Sequence, residues 1–194
     1  MNNYHIYGEI GRSVSGSSSI VYKGRAKHTI EYVAIKSTDK TDKERTMYQV
    51  AILYALQHVN ILKFINWYET SRHIWIIVEY CSGGTLLDIL KQDNKLPEIS
   101  IKIFTWQILN ALQYIHAKAF IYADLKPSNI LLNEFGNVKI KNFHLTKTIP
   151  NIQLDNTQHT QTKRGTPYYM APELFYSNGI YSFASDIWAF GIIM

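Results

Sequence analysis

The sequence is nearly free of cysteine and has no long apolar run. Its 194 residues include one cysteine, Cys81, so an intrachain disulfide framework is excluded and cysteine alone cannot form a zinc site. No run of eighteen or more apolar residues occurs, and no charged-then-apolar leader opens the chain. These absences predict a cytoplasmic location and no membrane partner.

The chain also lacks a dense block of charge of one sign. Its formal net charge is +5, but the lysines and arginines are dispersed along the sequence, which is typical of solvated faces. No nucleic-acid partner is therefore expected. Hydrophobic residues make up 46% of the chain and charged residues 18%, enough core material for one large domain or two small lobes.

The first half of the chain has the pattern of an antiparallel sheet with one helix. Short β-branched and aromatic segments are separated by glycine and serine, and one apolar periodicity of about three residues interrupts them. The predicted strands are residues 7–10, 20–23, 32–36, 61–67 and 73–79, and the predicted helix is 43–57.

The second half has a helical pattern that begins after Gly83 and Gly84. We expect a short helix at 86–90, a longer one after Pro97, a hairpin over 130–140 and a mobile loop at 150–164. Residues 185–194 read as a buried helix that is cut before any stop signal. Together the halves predict a two-lobed α+β fold, with an N-lobe at about 1–80, a hinge at 79–84 and an incomplete C-lobe at 85–194. Its cleft is expected near Cys81.

Residues 121–132 carry the pattern of a catalytic loop. An apolar lead-in precedes Asp124, Lys126 follows two positions on, Asn129 follows five positions on, and an apolar run closes the stretch. In phosphoryl transfer such an Asp orients the substrate hydroxyl and such an Asn holds a metal ion. The alternative interpretation is a plain helix-to-strand turn, in which Asp and Asn serve their turn chemistry.

Two further motifs favour the catalytic interpretation. Val-Ala-Ile-Lys at 33–36 lies on a predicted strand, where Lys36 could reach nucleotide phosphates. Gly-Thr-Pro-Tyr-Tyr-Met-Ala-Pro-Glu at 165–173 is followed by Asp-Ile-Trp-Ala-Phe-Gly at 186–191. With these motifs in this order, the chain resembles a protein kinase, and Lys126 with the Gly-Thr-Pro string resembles the Ser/Thr class.

Within that class the chain is most similar to the Fused/RUNKEL group, which includes the divergent, pseudokinase-like branch of the Unc-51-like kinases. Shared segments include 4–11, 22–25, 29–32, 67–71, 79–81 and 122–124. The resemblance implies ATP as ligand, protein partners, and an association with microtubules, cilia or cell division. It also assigns Thr166 and Glu173 to an activation segment. The implied nucleotide-binding residues are Gly11, Gly16, Val21, Ala34, Lys36, Val78, Glu79, Cys81 and Leu131.

Several positions depart from the kinase pattern. In kinases a helix Glu pairs with the strand Lys, but this chain has Gln49 at the Glu position. In kinases an Asp-Phe-Gly motif supplies an Asp for Mg²⁺, but here Asn142 replaces the Asp and His144 replaces the Gly. Ala123 replaces the Arg that grips a phosphorylated activation loop. The phosphate loop is irregular, since its first glycine is either Gly11, with an insertion, or absent. A metal on Asn129 and Asn142 is expected to be weak, because a carboxamide lacks the charge that Mg²⁺ needs.

These departures predict a nucleotide-binding pseudokinase that acts as a scaffold or allosteric module. One alternative is an active Ser/Thr kinase, with Asp124 as base, Asn129 and Asn142 on a weak metal, and Lys36 on the phosphates. A second alternative is a structural domain that binds no nucleotide.

Overall fold

The computed structural model describes residues 3–13, 19–148, 166–176 and 179–194. The chain divides into two compact units. Unit 1 comprises Met1–Gln57 and Leu62–Ser82, and unit 2 comprises His58–Ile61 and Gly83–Met194. The expected mobile loop at 150–164 lies outside the described residues.

Unit 1 is built on a five-stranded antiparallel sheet. Its order is β1-β2-β3-β5-β4, so β1 and β4 are the edge strands. Helix α1 contacts β4 and β5. The elements are β1 Tyr4–Ser13, β2 Ser19–Ala26, β3 Tyr32–Asp39, α1 Lys43–Ala55, β4 Phe64–Glu69 and β5 His73–Glu79.

The register of this sheet decides which side chains share a face. Side chains alternate between faces along each strand. Val33, Ile35 and Ile77 form a buried cluster on one face, with partly buried aromatic rings packed against it. The strand pairs Val21 with Lys36 and Ala34 with Val78 therefore place the candidate nucleotide-binding side chains together on the opposite face.

Unit 2 contains three helices and two short two-stranded antiparallel sheets among its described residues. Strand β6 pairs with β9, and β7 pairs with β8. The elements are α2 Leu86–Asp93, α3 Glu98–Ala117, β6 Phe120–Ile121, β7 Ile130–Leu132, β8 Val138–Ile140, β9 Lys147–Thr148 and α4 Phe183–Ile193. Short 3₁₀ turns span Pro127–Asn129, Pro167–Tyr169 and Pro172–Phe175.

The glycine pair that precedes α2 is packed against β7. The N–H of Gly83 donates to the carbonyl of Leu132 at 2.9 Å, and the carbonyl of Gly84 accepts from the N–H of Leu132 at 3.0 Å. A Cβ added at Gly83 would lie 2.9 Å from Leu132 Cβ, too close for any residue with a side chain. Gly84 has φ +69°, which glycine adopts without steric cost. The two glycines that separate the strand pattern from the helical pattern therefore allow a close approach of two backbones.

The structure confirms the predicted α+β class, with an antiparallel sheet followed along the chain by helices. The strand predicted at 61–67 is wrong at its start, since β4 begins at Phe64 and Ile61 instead bridges to Ile140. Helix α1 ends at Ala55 rather than 57, because Leu56 has an extended backbone.

The helix predicted at 185–194 is only partly buried. Ser185, Asp186 and Ala189 face the interior, whereas Trp188 and Ile192 are about half exposed. Residues 187–194 contain no polar or charged side chain, so the sequence pattern did not distinguish the two faces. Across the described residues, no helix combines the length and hydropathy that a membrane crossing requires.

Candidate functional site

Lys36 in unit 1 is hydrogen-bonded to the residue that replaces the expected acid. Its Nζ lies 3.3 Å from Oε1 of Gln49, a buried residue of α1. An amide oxygen accepts a hydrogen bond from an ammonium but does not neutralise its charge. Gln49 therefore positions Lys36 without forming an ion pair with it.

The remaining unit 1 candidates lie along the same sheet. Gly11 of β1 pairs with Val21 of β2, and nothing lies within 4 Å of a Cβ added at Gly11. At the end of β5, Glu79 is held twice by Lys63: its N–H donates to the Lys63 carbonyl at 3.0 Å, and its carboxylate accepts from the Lys63 N–H at 2.6 Å. Cys81 follows and is half-buried. Gly16 lies outside the described residues.

The candidate catalytic loop of unit 2 folds back on itself. Pro127 opens a 3₁₀ turn that ends at Asn129. This turn brings the Asn129 amide within 2.8 Å of both the carbonyl oxygen and Oδ2 of Asp124, which is 4% exposed. Lys126 Nζ lies 2.8 Å from Asp124 Oδ1 as an ion pair outside hydrogen-bonding geometry. The three predicted catalytic residues are thus in direct contact.

Asp186 holds the backbone that leads into this loop. Its carboxylate accepts the N–H groups of Tyr122 and Ala123, each at 2.8 Å, and lies 2.8 Å from His116 Nε2. Ala123 has φ +67°, a left-handed conformation that costs energy for a residue with a Cβ. The buried carboxylate therefore compensates a strained backbone next to Asp124. The motif at 186–191 was noted in the sequence, but Asp186 was missed as a site residue.

Tyr122 lies fully buried beneath the loop. Its hydroxyl donates to the Lys141 carbonyl, and its ring meets Phe143 edge-on with centroids 5.2 Å apart. Burial, and then the charges of Asp124 and Asp186, raise the pKa of Tyr122 well above its usual range. The phenol stays neutral and acts as a structural support.

Asn142 and His144 form a hydrogen-bonded relay with Asn129. The amide nitrogen of Asn142 donates to Asn129 Oδ1 at 3.3 Å, and Asn142 Oδ1 lies 2.9 Å from His144 Nδ1. Asn142 has φ +70°, which Asn tolerates better than most residues. His144 is thus a hydrogen-bond partner of the residue that replaces the metal-binding Asp.

This relay does not fit a tight magnesium site. Mg²⁺ prefers charged oxygen ligands in near-octahedral geometry, whereas Asn142 presents an amide nitrogen toward Asn129 and gives its oxygen to His144. The described residues contain no group of three or more His, Cys, Asp or Glu side chains placed to hold a metal. The weak metal expected on Asn129 and Asn142 stays a prediction.

The two residues that the resemblance assigns to an activation segment, Thr166 and Glu173, form hydrogen bonds to other parts of unit 2. Lys126 Nζ donates to Thr166 Oγ1 at 2.7 Å, so one ammonium contacts both Asp124 and Thr166. Glu173 Oε1 accepts from Ser185 Oγ at 3.1 Å and thereby ties the segment to α4.

Two other residues singled out from the sequence, Ala123 and Leu131, also lie in unit 2. Ala123 packs against the buried cluster of Ile121, Ala171, Leu174 and Tyr181. Apolar side chains therefore surround the position at which the kinase pattern has an Arg. Leu131, in the middle of β7, pairs with Lys139 and bridges to Thr85.

Comparison with known proteins places these features in a family. Residues 4–194 match the family model of the protein kinase domain. The serine/threonine-protein kinase RUNKEL of Arabidopsis thaliana is 53% identical over 194 residues, which is 100% of this chain and 14% of that protein. The serine/threonine-protein kinase ULK4 of Mus musculus is 34% identical over 214 residues, covering 100% of this chain and 16% of that protein. The serine/threonine-protein kinase TIO of Arabidopsis thaliana is 34% identical over 199 residues, again 100% of this chain and 14% of that protein.

These matches confirm the resemblance to Ser/Thr protein kinases and to the Fused/RUNKEL group. The chain spans only 14% to 16% of the length of these relatives.

Proposed function

Because the chain belongs to the protein kinase family, of the Ser/Thr type, we propose that it is a pseudokinase domain. In this proposal the domain binds ATP, transfers its γ-phosphate weakly or not at all, and acts as a scaffold or allosteric module. The relay of Asn129, Asn142 and His144 carries the proposal, because it puts neutral, mutually hydrogen-bonded side chains where the kinase pattern has a metal-binding carboxylate.

The expected catalytic loss is large. Removing one preorganised electrostatic contact from an active site typically slows a reaction by about 10²–10³. Here two are altered, since Asn142 replaces the metal-binding Asp and Gln49 replaces the partner acid of Lys36. Their effects need not multiply, but either one alone supports slow phosphoryl transfer.

Nucleotide binding is supported by what is retained. Val21, Ala34, Lys36 and Val78 share one face of the unit 1 sheet, which offers apolar contacts for a base and an ammonium for phosphates. By resemblance, Val78 is the gatekeeper, the backbone of Glu79 and Cys81 contacts the base, and Leu131 contributes an apolar contact.

An active Ser/Thr kinase is the second candidate, and one observation favours it. Asp124, Lys126, Asn129 and Thr166 are mutually connected, as a base and its supports need to be. If this is the function, ATP transfers its γ-phosphate to a protein hydroxyl whose proton Asp124 accepts.

Transfer of radiolabelled γ-phosphate from ATP to a basic protein substrate tests the proposal. We expect the wild-type rate to exceed that of Asp124→Asn slightly or not at all, while both proteins bind a fluorescent ATP analogue. A wild-type rate well above that of Asp124→Asn would favour the active kinase. Absence of analogue binding by both proteins would favour a scaffold that binds no nucleotide.

The cellular setting is proposed from the resemblance alone. We propose that the domain works in the cytoplasm and contacts protein partners associated with microtubules, cilia or the dividing cell. Imaging of a fluorescently tagged protein against labelled tubulin tests this, and a uniform signal unaffected by depolymerising the microtubules would contradict it.

A further inference from the structure

Three tyrosine rings cross the unit 1 sheet in a row. Tyr7 of β1 and Tyr32 of β3 have ring centroids 6.4 Å apart, and Tyr32 and Tyr80, which follows β5, have centroids 6.3 Å apart. Tyr7 and Tyr32 are 45% and 49% exposed, far more than aromatic side chains that serve a core. Packing within the sheet therefore does not explain the row.

Two cations of β2 lie among these rings. Lys23 Nζ sits 4.2 Å from the ring centroid of Tyr32 and 4.9 Å from that of Tyr80. Arg25 faces Tyr32 in the strand register, and its Nε donates to the Tyr7 hydroxyl at 3.1 Å. Cation–π contacts of this kind hold an ammonium in place without neutralising it. We call these five residues the basic tyrosine patch: Tyr7, Lys23, Arg25, Tyr32 and Tyr80.

The positive charge of this patch is not balanced locally. Among the described residues, neither Lys23 nor Arg25 has a carboxylate oxygen within 4.0 Å. Of the acids on or beside the neighbouring strands, Glu9 pairs with Arg12 at 2.8 Å and Glu79 accepts from the Lys63 N–H at 2.6 Å, while Glu31, next to Tyr32, forms no ion pair with either cation. The patch therefore offers two fixed cations to an anion from outside the chain.

The chemistry of the patch favours carboxylates over nucleic acid. Single-stranded nucleic acid binds by stacking its bases on free aromatic faces along a track of cations. Here Lys23 occupies faces of Tyr32 and Tyr80, and the patch has two cations. Tyr7 accepts a hydrogen bond from Arg25, so its own hydroxyl proton can be donated to a carboxylate.

The surroundings of the patch suit an extended chain. Strand β1 is an edge strand, and edge strands pair readily with added strands. Ile30 lies in the turn between β2 and β3, where the Thr29 carbonyl accepts from Arg25 Nη1 at 2.6 Å, and it is 89% exposed, so an apolar side chain lies near the cations.

We propose that the basic tyrosine patch binds an acidic, extended segment of a partner protein. Carboxylates of the segment contact Lys23, Arg25 and the Tyr7 hydroxyl, and its backbone runs along β1. The patch lies on the same sheet face as Val21 and Lys36 but two to four residues further along β2, about 7–13 Å at strand spacing. The proposal does not depend on nucleotide binding.

Fluorescence anisotropy with the 194-residue chain, in the absence of nucleotide, tests the proposal. The probe is a fluorescein-labelled ten-residue peptide of alternating Glu and Thr. We expect saturable binding that weakens with added salt, and a roughly tenfold loss of affinity in the double variant Lys23→Met, Arg25→Met. The variant Lys23→Arg, Arg25→Lys should retain binding, because it keeps both charges. Tyr32→Leu should weaken binding, because it removes a ring that holds Lys23.

The control variant is Arg12→Met, Lys102→Met, which removes the same charge from two exposed ion pairs. It should bind the peptide as wild type does, and circular dichroism should show the same fold for every variant. Equal loss in the control variant, equal binding of a Gln and Thr peptide, or no binding of the acidic peptide would overturn the proposal. Tighter binding of a ten-nucleotide oligothymidylate, lost with Lys23 and Arg25, would replace it with a nucleic-acid site.

Discussion

The amide nitrogen of Asn142 donates a hydrogen bond to Oδ1 of Asn129 across 3.3 Å. In the kinase pattern these two positions hold the metal ions that accompany ATP. Here the same two side chains bind each other, and His144 engages the remaining oxygen of Asn142. The pair thus satisfies its own polar groups without a cation.

Replacing the amide nitrogen of Asn142 with an oxygen should make ATP binding depend on a metal ion. In Asn142→Asp a carboxylate oxygen would face Asn129 Oδ1, and the two acceptors would repel unless a cation lies between them. We expect ATP binding by Asn142→Asp to become dependent on Mg²⁺, with an affinity gain of roughly tenfold or more on adding the ion. Isothermal titration with ATP, with and without Mg²⁺, measures this.

The matched control for that titration is Gln92→Glu, which adds the same charge at an exposed position of α2. It should titrate as wild type does. An Asn142→Asp variant indifferent to Mg²⁺ would show that the relay is not what excludes the metal.

Asp186 should be a major determinant of the stability of unit 2. In Asp186→Asn an amide group would replace one oxygen that now accepts the N–H of Tyr122 or Ala123 at 2.8 Å, in a side chain that is 1% exposed. Lost charge-assisted hydrogen bonds and a buried, mismatched donor should lower the free energy of unfolding by about 2–4 kcal/mol. Urea unfolding measures this, with exposed Asp93→Asn as control; a loss below about 0.5 kcal/mol would contradict the role.

Acidification should destabilise the chain through His58. Its Nδ1 accepts the N–H of Asn60 at 3.1 Å, and its ring stacks on Tyr114 with centroids 5.1 Å apart. Burial, and then the charge of Lys139, lowers the pKa of His58 below its usual 6.5. The unfolded chain therefore takes up this proton first, so stability is lost as the pH falls through about 6.5 and below.

The variant His58→Phe removes this titration while keeping a ring against Tyr114. Urea unfolding at pH 7.5, 6.5 and 5.5 should show a smaller loss of stability on acidification than in wild type. Exposed His5→Phe serves as the control. If both variants lose stability with pH as wild type does, His58 does not contribute to the acid response.

The N-terminus of α2 is held by a reciprocal pair of hydrogen bonds. Thr85 Oγ1 accepts from the Asp88 N–H at 3.1 Å, and Asp88 Oδ2 accepts from the Thr85 N–H at 3.0 Å. The hydroxyl of Thr85 also donates to this carboxylate, and these bonds lower the pKa of Asp88. Thr85→Ala should cost about 1 kcal/mol of stability in thermal unfolding. Gln92→Ala, on the exposed part of the same helix, should cost little, and equal costs would contradict the capping role.

The sequence predicts elements where periodicity and turn residues agree. Strand β5 matches its prediction because its run of Ile and Val is bounded by polar residues. The start of β4 was wrong because four of the five residues 61–65 are apolar, so alternation could not separate Ile61, which bridges to Ile140, from the strand that begins at Phe64.

The candidate site was predictable in composition but not in geometry. Motif spacing predicts Asp124 and Asn129 because their chemistry needs those residue types. It does not predict the bond from Asn142 to Asn129, which depends on a left-handed backbone at Asn142. Nor does it predict Asp186, whose partners are backbone N–H groups more than sixty positions away and therefore invisible to residue pattern.

Thermal melting can show whether the domain holds nucleotide without a catalytic metal, as we propose. Ligands that bind the native state raise its melting temperature. We predict that saturating ATP raises the melting temperature equally in the presence of Mg²⁺ and of a chelator. A rise that appears only with Mg²⁺ would contradict the account and favour an active kinase.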